Sequence, residues 1–360
     1  MKHTQTFFLT CLITLLLTLP LQAQEPQIIA DQGQTGALPA PSLAALTLAA
    51  ALGCDGARLG LVLSQDNQVM VLSTIDLGGI TDVATRFPDR AKTENSFPAF
   101  ALSLAELRQL AWQSAPPYHH GPITLNEVLA LQRLLKDRLG RDLILNLELR
   151  QPRQHQLAGH DLARAVLETI RAAGHSGRVD SLRLQSYDHE ELRRLRQDLL
   201  PEYGLNLDLI QLIDDNDGQE AQVEQWGVWL PYNYDWMLSR SGLRLLATLV
   251  QGIGLDQSRL ADASGTPLPG DTLADLKTLG LTLQVRGLDQ GRLPSHAQDL
   301  TQLADLFTTL IPADSLITDN CGQLAQARRQ RLLNPQTQNI RPPIDLIPAP
   351  VPLPAPFLQR

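Results

Sequence analysis

Apolar positions along the chain fall into two alternating rhythms. Short runs dense in Val, Ile and Leu predict strands at Gln27–Ala30, Asp55–Leu63, Gln68–Ser73, Asp142–Leu149, Ser181–Ser186, Asp208–Ile213, Gly280–Val285 and Ser315–Thr318. Between several of them, apolar residues recur at three- and four-residue spacing and predict helices at Leu43–Leu52, Leu125–Leu139, Gly159–Ala173 and Glu190–Leu199. Strands alternating with helices imply a parallel sheet with helical crossovers, and roughly eight such units fit a closed α/β barrel, the (β/α)8 or TIM barrel. Gln251–Leu255 reads as a ninth candidate strand, so the count leaves one run to spare. The stretch from Thr74 to Arg141, after the third predicted strand, is too long for an ordinary connection. It carries loop-rich sequence and a helix or two, and such excursions commonly cap the active face of a barrel.

The two ends follow other patterns. Lys2 and His3 precede an apolar run from Phe7 to Leu21, which stops at Leu21-Gln22-Ala23 before the polar Gln24-Glu25-Pro26. A charged start, an apolar centre and a small residue at the break predict a secretory signal peptide over residues 1–23, hence a periplasmic or secreted protein. The run is shorter than the roughly 20 residues a spanning helix needs, so no transmembrane segment is expected after cleavage. Cys11 lies in mid-run, away from the cleavage point, and is not read as a lipid attachment site. From Arg341 the chain reads RPPIDLIPAPVPLPAPFLQR; repeated prolines favour extended polyproline II, and residues 331–360 are expected to form a disordered tail behind a globular unit over 24–330.

Composition then removes partners. A formal charge of −8 and a pI near 5.5 argue against nucleic acid, and no Lys/Arg run offers a surface for anionic lipid. An oxidising compartment would permit a disulfide between Cys54 and Cys321, but their apolar contexts predict two buried thiols.

Several segments resemble the periplasmic, glycerol-releasing branch of the glycerophosphodiester phosphodiesterases. The most specific is GITDVATRFPDRAK, Gly79 to Lys92; LQSYDHEELRRLRQDLLPEYGLNLDLIQLI, YNYDWM (Tyr232–Met237) and GIG (Gly252–Gly254) follow the same pattern. The resemblance runs from about Ile28 to Asp319 and implies a metal-dependent hydrolase on a barrel. It further implies a His-Arg pair ending strand one, a Glu soon after, a Glu-x-Asp on strand two, a His ending strand three and a Glu on strand four. Carboxylates would hold calcium or magnesium, histidines would handle protons and Arg would grip the phosphate.

Here those positions carry other residues. Asp31 and Gln32 stand at the His-Arg pair, Ala40 at the next Glu, Arg58 and Gly60 at the two acids of strand two, and Ser73 at the third-strand His. Glu148 alone keeps its acid, with Arg150 in place of the usual Lys; Gln185 also matches the family. One carboxylate, even joined by Asp31, is too few hard ligands for such a cation, and Arg58 would repel it, so no cofactor is expected. Loss of each proton-transferring His would cost ~10²–10⁴ in rate. The reading is a pseudoenzyme that binds a glycerophosphodiester-like molecule or a protein partner, with Arg58, Arg150, Gln185 and Trp236 as candidate ligand contacts. The alternative is an active enzyme releasing an alcohol and glycerol 3-phosphate. With strand parity turning each side chain toward the mouth that the family's geometry implies, the resemblance further implies that Arg58 pairs with Glu148 in place of the metal, reaching toward Asp31.

Other features carry less. His119-His120 has no further ligands spaced to help and is read as a solvated or capping pair. His155 and His160, after strand four, are assigned structural roles; Tyr232, Tyr234 and Trp236 are read as loop packing ahead of a ligand wall. Ser73 lacks the strained G-x-S-x-G turn of a nucleophile.

Overall fold

The computed structural model describes residues 25–34, 38, 41–93, 96–112, 122–218, 220–262, 264–267 and 271–333. The expected signal peptide, most of the proline-rich tail, Ala40 and the His119-His120 pair lie outside these residues.

The strands are β1 (Gln27–Asp31), β2 (Gly56–Leu63), β3 (Val69–Val71), β4 (Ile144–Leu149), β5 (Gly177–Ser186), β6 (Leu205–Ile213), β7 (Gln222–Gln225), β8 (Val228–Pro231), β9 (Gly252–Asp256), β10 (Thr282–Leu288) and β11 (Ser315–Thr318). Pairing runs β1-β2-β4-β5-β6-β9-β10-β11 and returns to β1, every step parallel. That is a closed (β/α)8 barrel, with a helix following each strand: α1 (Leu43–Leu52), α2 (Leu125–Leu139), α3 (Leu162–Ala172), α4 (His189–Arg194), α5 (Arg240–Leu246), α6 (Asp271–Leu279), α7 (Leu300–Thr309) and α8 (Cys321–Leu333). Every residue of β2 is buried, as expected for a barrel strand filled on one face and covered by helices on the other. Helix ends follow local chemistry. Thr124 and Glu127 form a capping box at the start of α2, and Gly140 closes it in the left-handed conformation that glycine adopts without strain.

One strand assignment changes. Gln68–Ser73 is not a barrel stave: Val69–Val71 lies antiparallel to the far end of β2, with Leu61 opposite Val71. The physical reason is the short connection through Ser64–Gln68, which turns the chain back on itself, whereas a parallel neighbour needs a long crossover. The eighth stave is instead Gly252–Asp256, which overlaps the ninth candidate run, Gln251–Leu255. The excursion after β3 builds a satellite core, in which Ile75, Leu77, Val83, Phe97, Leu102 and Leu107 pack on Val62, Met70 and Leu72.

The second change is at the bottom of the barrel. Cys54 and Cys321 are joined in a disulfide, not held as separate thiols. Cys54 follows α1 and Cys321 opens α8, and closure of the barrel brings these distant segments side by side. Beside the bridge, Asp55 accepts from the Ile28 backbone N–H at 2.8 Å and from the Arg328 guanidinium at 2.5 and 3.1 Å. Among the described residues no helix is long and apolar enough to cross a membrane.

Candidate functional site

Side chains at the C-terminal ends of the strands converge on the barrel mouth, because alternate residues of each stave point inward. The register places Asp31 beside Arg58, Gly60 beside Glu148, and Glu148 beside Gln185. Four strands therefore deliver one polar row across the top of the core.

Arg58 is the hub. Its Nε and Nη2 donate to Asp31 Oδ1 at 2.8 and 2.6 Å, and its Nη1 donates to Glu148 Oε2. Glu148 is fully buried. Its Oε2 also accepts from Gln185 Nε2 at 3.3 Å, and its Oε1 accepts from Arg150 Nη1 at 2.5 Å. Arg150 in turn donates through Nη2 to Glu220, on the segment between β6 and β7. Burial alone would drive the Glu148 carboxyl toward its neutral form. Arg58, Arg150 and Arg286 outweigh that effect and hold it well below the usual carboxylate range. Burial likewise opposes the charge of Arg58, and Glu148 and Asp31 more than compensate. Removing one partner of such a buried set leaves a charge without hydration or compensation, typically costing 3–5 kcal/mol.

Three participants were absent from the sequence reading. Arg286, on β10, donates to the Tyr187 hydroxyl and lies 5.1 Å from the centre of that ring. Burial pushes the Tyr187 phenol up to about 12, so it stays protonated at neutral pH. Glu220 is the third. Arg286 could have been found by reading β10 as the other strands were read: Gln284 and Arg286 are polar residues at alternate positions of an apolar run. Glu220 sits in a segment with no periodicity and leaves no such trace.

The remaining predicted residues separate. Gln32 lies at the rim with φ +51°, and its Oε1 accepts from the Gly60 N–H at 3.3 Å. At Gly60 a β-carbon would come within 2.4 Å of the Leu72 carbonyl oxygen, so the backbone just after β3 occupies the space a side chain would need. Ser73 is exposed beyond β3 and takes no part in the polar row. Trp236 packs edge-on against His189 with ring centres 5.3 Å apart, and its Nε1 donates to the Tyr232 hydroxyl at 3.3 Å. Tyr234 is fully buried, so these aromatics pack the loop after β8. His155 is also buried: its Nε2 accepts from the Leu63 N–H at 3.0 Å and its Nδ1 faces the Gln151 carbonyl at 3.2 Å. Burial lowers it to about 4, leaving a neutral ring that ties a helix to β2. His160 Nδ1 lies 2.8 Å from Asn67 Oδ1, at the turn before β3.

The donor set does not fit a divalent cation. Both oxygens of Glu148 already receive guanidinium hydrogen bonds, Asp31 is committed to Arg58, and no group of three or more His, Cys, Asp or Glu suited to a metal occurs among the described residues. A cation entering here would meet Arg58, Arg150 and Arg286.

Comparison with known proteins places this geometry in context. The chain is 28% identical over 320 residues to a glycerophosphodiester phosphodiesterase of Treponema pallidum, covering 82% of this chain and 90% of that protein. It is 26% identical over 323 residues to one of Haemophilus influenzae, covering 81% and 86%. Among solved structures, the fold is similar to that of an Oleispira antarctica phosphodiesterase in complex with the product sn-glycerol-3-phosphate, with TM-score 0.57, 18% identity, and 84% and 97% of the two chains covered. A protein from Agrobacterium tumefaciens described as a glycerophosphoryl diester phosphodiesterase gives TM-score 0.58 at 15% identity, covering 86% and 99%. Residues 32–322 match the sequence profile of the glycerophosphoryl diester phosphodiesterase family, and with this barrel the chain belongs to that family.

Proposed function

We propose that this protein is an exported, non-hydrolytic member of the family whose barrel mouth binds an anionic, glycerophosphodiester-like ligand without a metal. One observation carries the reading: Glu148, the acid retained at a family metal position, is enclosed by Arg58, Arg150 and Gln185. A guanidinium supplies the positive charge a cation would supply, but it activates no water and offers no open coordination position. Asp31 and Ser73 stand where the family's proton-transferring histidines would, and Asp31 is engaged by Arg58. The exported location rests on the residue pattern at 1–23.

The test is turnover. Purified protein incubated with glycerophosphocholine or glycerophosphoethanolamine, with calcium or magnesium added, is expected to release no glycerol 3-phosphate above background. The same compounds should raise its melting temperature, since a ligand that binds only the folded state stabilises it. Turnover proportional to protein concentration overturns the reading in favour of an active phosphodiesterase, the activity named for its relatives. Loss of that turnover in Glu148→Ala would then show that the retained acid carries it. Export is checked by cell fractionation and by the mass of the mature N-terminus.

A further inference from the structure

Glu220 enters the ion web differently from the other acids. Asp31 and Glu148 project from barrel strands, whereas Glu220 comes from the segment joining β6 to the β7–β8 hairpin and reaches inward from the rim. Its contact with Arg150 is incomplete. Arg150 Nη2 donates to Glu220 Oε1, while Arg150 Nε and Glu220 Oε2 are both buried and take no partner among the described residues. Nε and Nη2 form the side-on edge of a guanidinium, which grips two oxygens of one anion in its strongest mode. Here half of that edge is used. Burial also raises the Glu220 carboxyl, with Glu148 and Asp214 adding repulsion against the attraction of Arg150 and Arg286. Arg286, within electrostatic reach of both Glu148 and Glu220, forms no ion pair with a described carboxylate.

We infer that Glu220 is a built-in occupant of an anion subsite formed by Arg150 and Arg286, and that a ligand bearing two oxygens and one negative charge displaces it. Exchanging one carboxylate for one monoanion leaves the charge balance of the mouth unchanged, whatever surrounds it. A free monoanion can also meet both Nε and Nη2, which Glu220 does not. A carboxylate and a phosphodiester share this chemistry; inorganic phosphate, largely a dianion at pH 8, does not. Glu220 competes as a tethered group at an effective concentration on the order of millimolar or more, which weakens any external anion. The inference rests on the binding reading above, but that reading is judged by turnover in the wild type, so the two can fail separately.

The experiment is titration calorimetry at pH 8 on wild type, Glu220→Gln and Glu220→Ala, with glycerophosphocholine, acetate and inorganic phosphate as probes. Acetate or glycerophosphocholine, each presenting one singly charged two-oxygen group, should bind both variants at least tenfold more tightly than wild type, and the choice between them identifies the ligand source. Circular dichroism and melting curves first establish that both variants fold, since losing Glu220 leaves Arg150 with Glu148 as its one carboxylate partner among the described residues and is expected to lower the melting temperature. Unchanged affinity for all three probes in folded variants overturns the inference. So does a gain confined to inorganic phosphate.

Discussion

At the bottom of the barrel, Asp55 accepts from the Arg328 guanidinium and from the first strand's backbone, beside a disulfide linking the segments that follow α1 and open α8. At the mouth, Glu148 accepts from Arg58, Arg150 and Gln185, and the chain of contacts runs outward to Asp31 and Glu220. Both ends thus use guanidinium–carboxylate pairs, but for different work. The bottom set ties together parts of the chain distant in sequence and includes a backbone donor that must be satisfied anyway. The mouth set joins side chains to side chains and leaves Gln32 Nε2, Arg150 Nε, Gln185 Oε1 and Glu220 Oε2 buried without partners among the described residues. Near the bottom Glu25 Oε2 and Arg331 Nε are left over as well, but they lie outside the Asp55–Arg328 set, whereas those at the mouth crowd around one connected web.

The comparison can be broken most directly at Glu148. Glu148→Ala strands Arg58 and Arg150 in a buried site and is expected to lower stability by about 3–5 kcal/mol. Urea unfolding followed by circular dichroism measures it; a loss below about 1 kcal/mol would mean that the mouth is far more hydrated than its burial implies. At the bottom, Cys54→Ser with Cys321→Ser is expected to cost about 2–4 kcal/mol. That loss should vanish when wild type and variant are compared under reducing conditions, whereas the Glu148→Ala loss should persist.

A smaller effect sharpens the contrast through pH. Glu191, on α4 behind the mouth, is buried, accepts from Arg194 and Gln156, and is pushed up to about 7, chiefly by burial. Its folded-state pKa exceeds the ordinary 4.5, so the unfolded chain ionises first. Stability from this group is therefore full below about pH 4.5, falls as pH rises to about 7, and is flat above that. Glu191→Gln should remove this slope and gain on the order of 3 kcal/mol at pH 8 relative to pH 4. Glu148 works in the opposite sense. Its depressed pKa gives stability that is present above the ordinary carboxylate range and lost as pH falls below it, so acid unfolding of the Glu191→Gln variant reports the mouth more cleanly. Identical slopes in wild type and Glu191→Gln would refute the assignment.

Much of this arrangement was legible in the residues. The resemblance put Arg58 and Glu148 at positions facing the mouth, and strand parity aimed them at each other, because a two-residue period fixes which side chains share a face. The same periodicity could not tell a stave from a hairpin arm. Val69–Val71 is as apolar as Gly252–Asp256, and only the length of the preceding turn separates them. Cys54 and Cys321 are 267 residues apart, and their pairing follows from barrel closure, which no local pattern encodes. Arg286 was readable by an alternation that went unused, whereas Glu220 depends on the path of an irregular segment.

Gly60 sets the order in which a metal site could be built at this mouth. Placing an acid at position 58 is a change of side chain alone, but an acid at position 60 would collide with the Leu72 carbonyl and require the backbone just after β3 to move. Installing both acids therefore needs two coordinated steps, one of them damaging until the other is made. An engineer installing such a site should redesign the β2–β3 hairpin before touching Arg58.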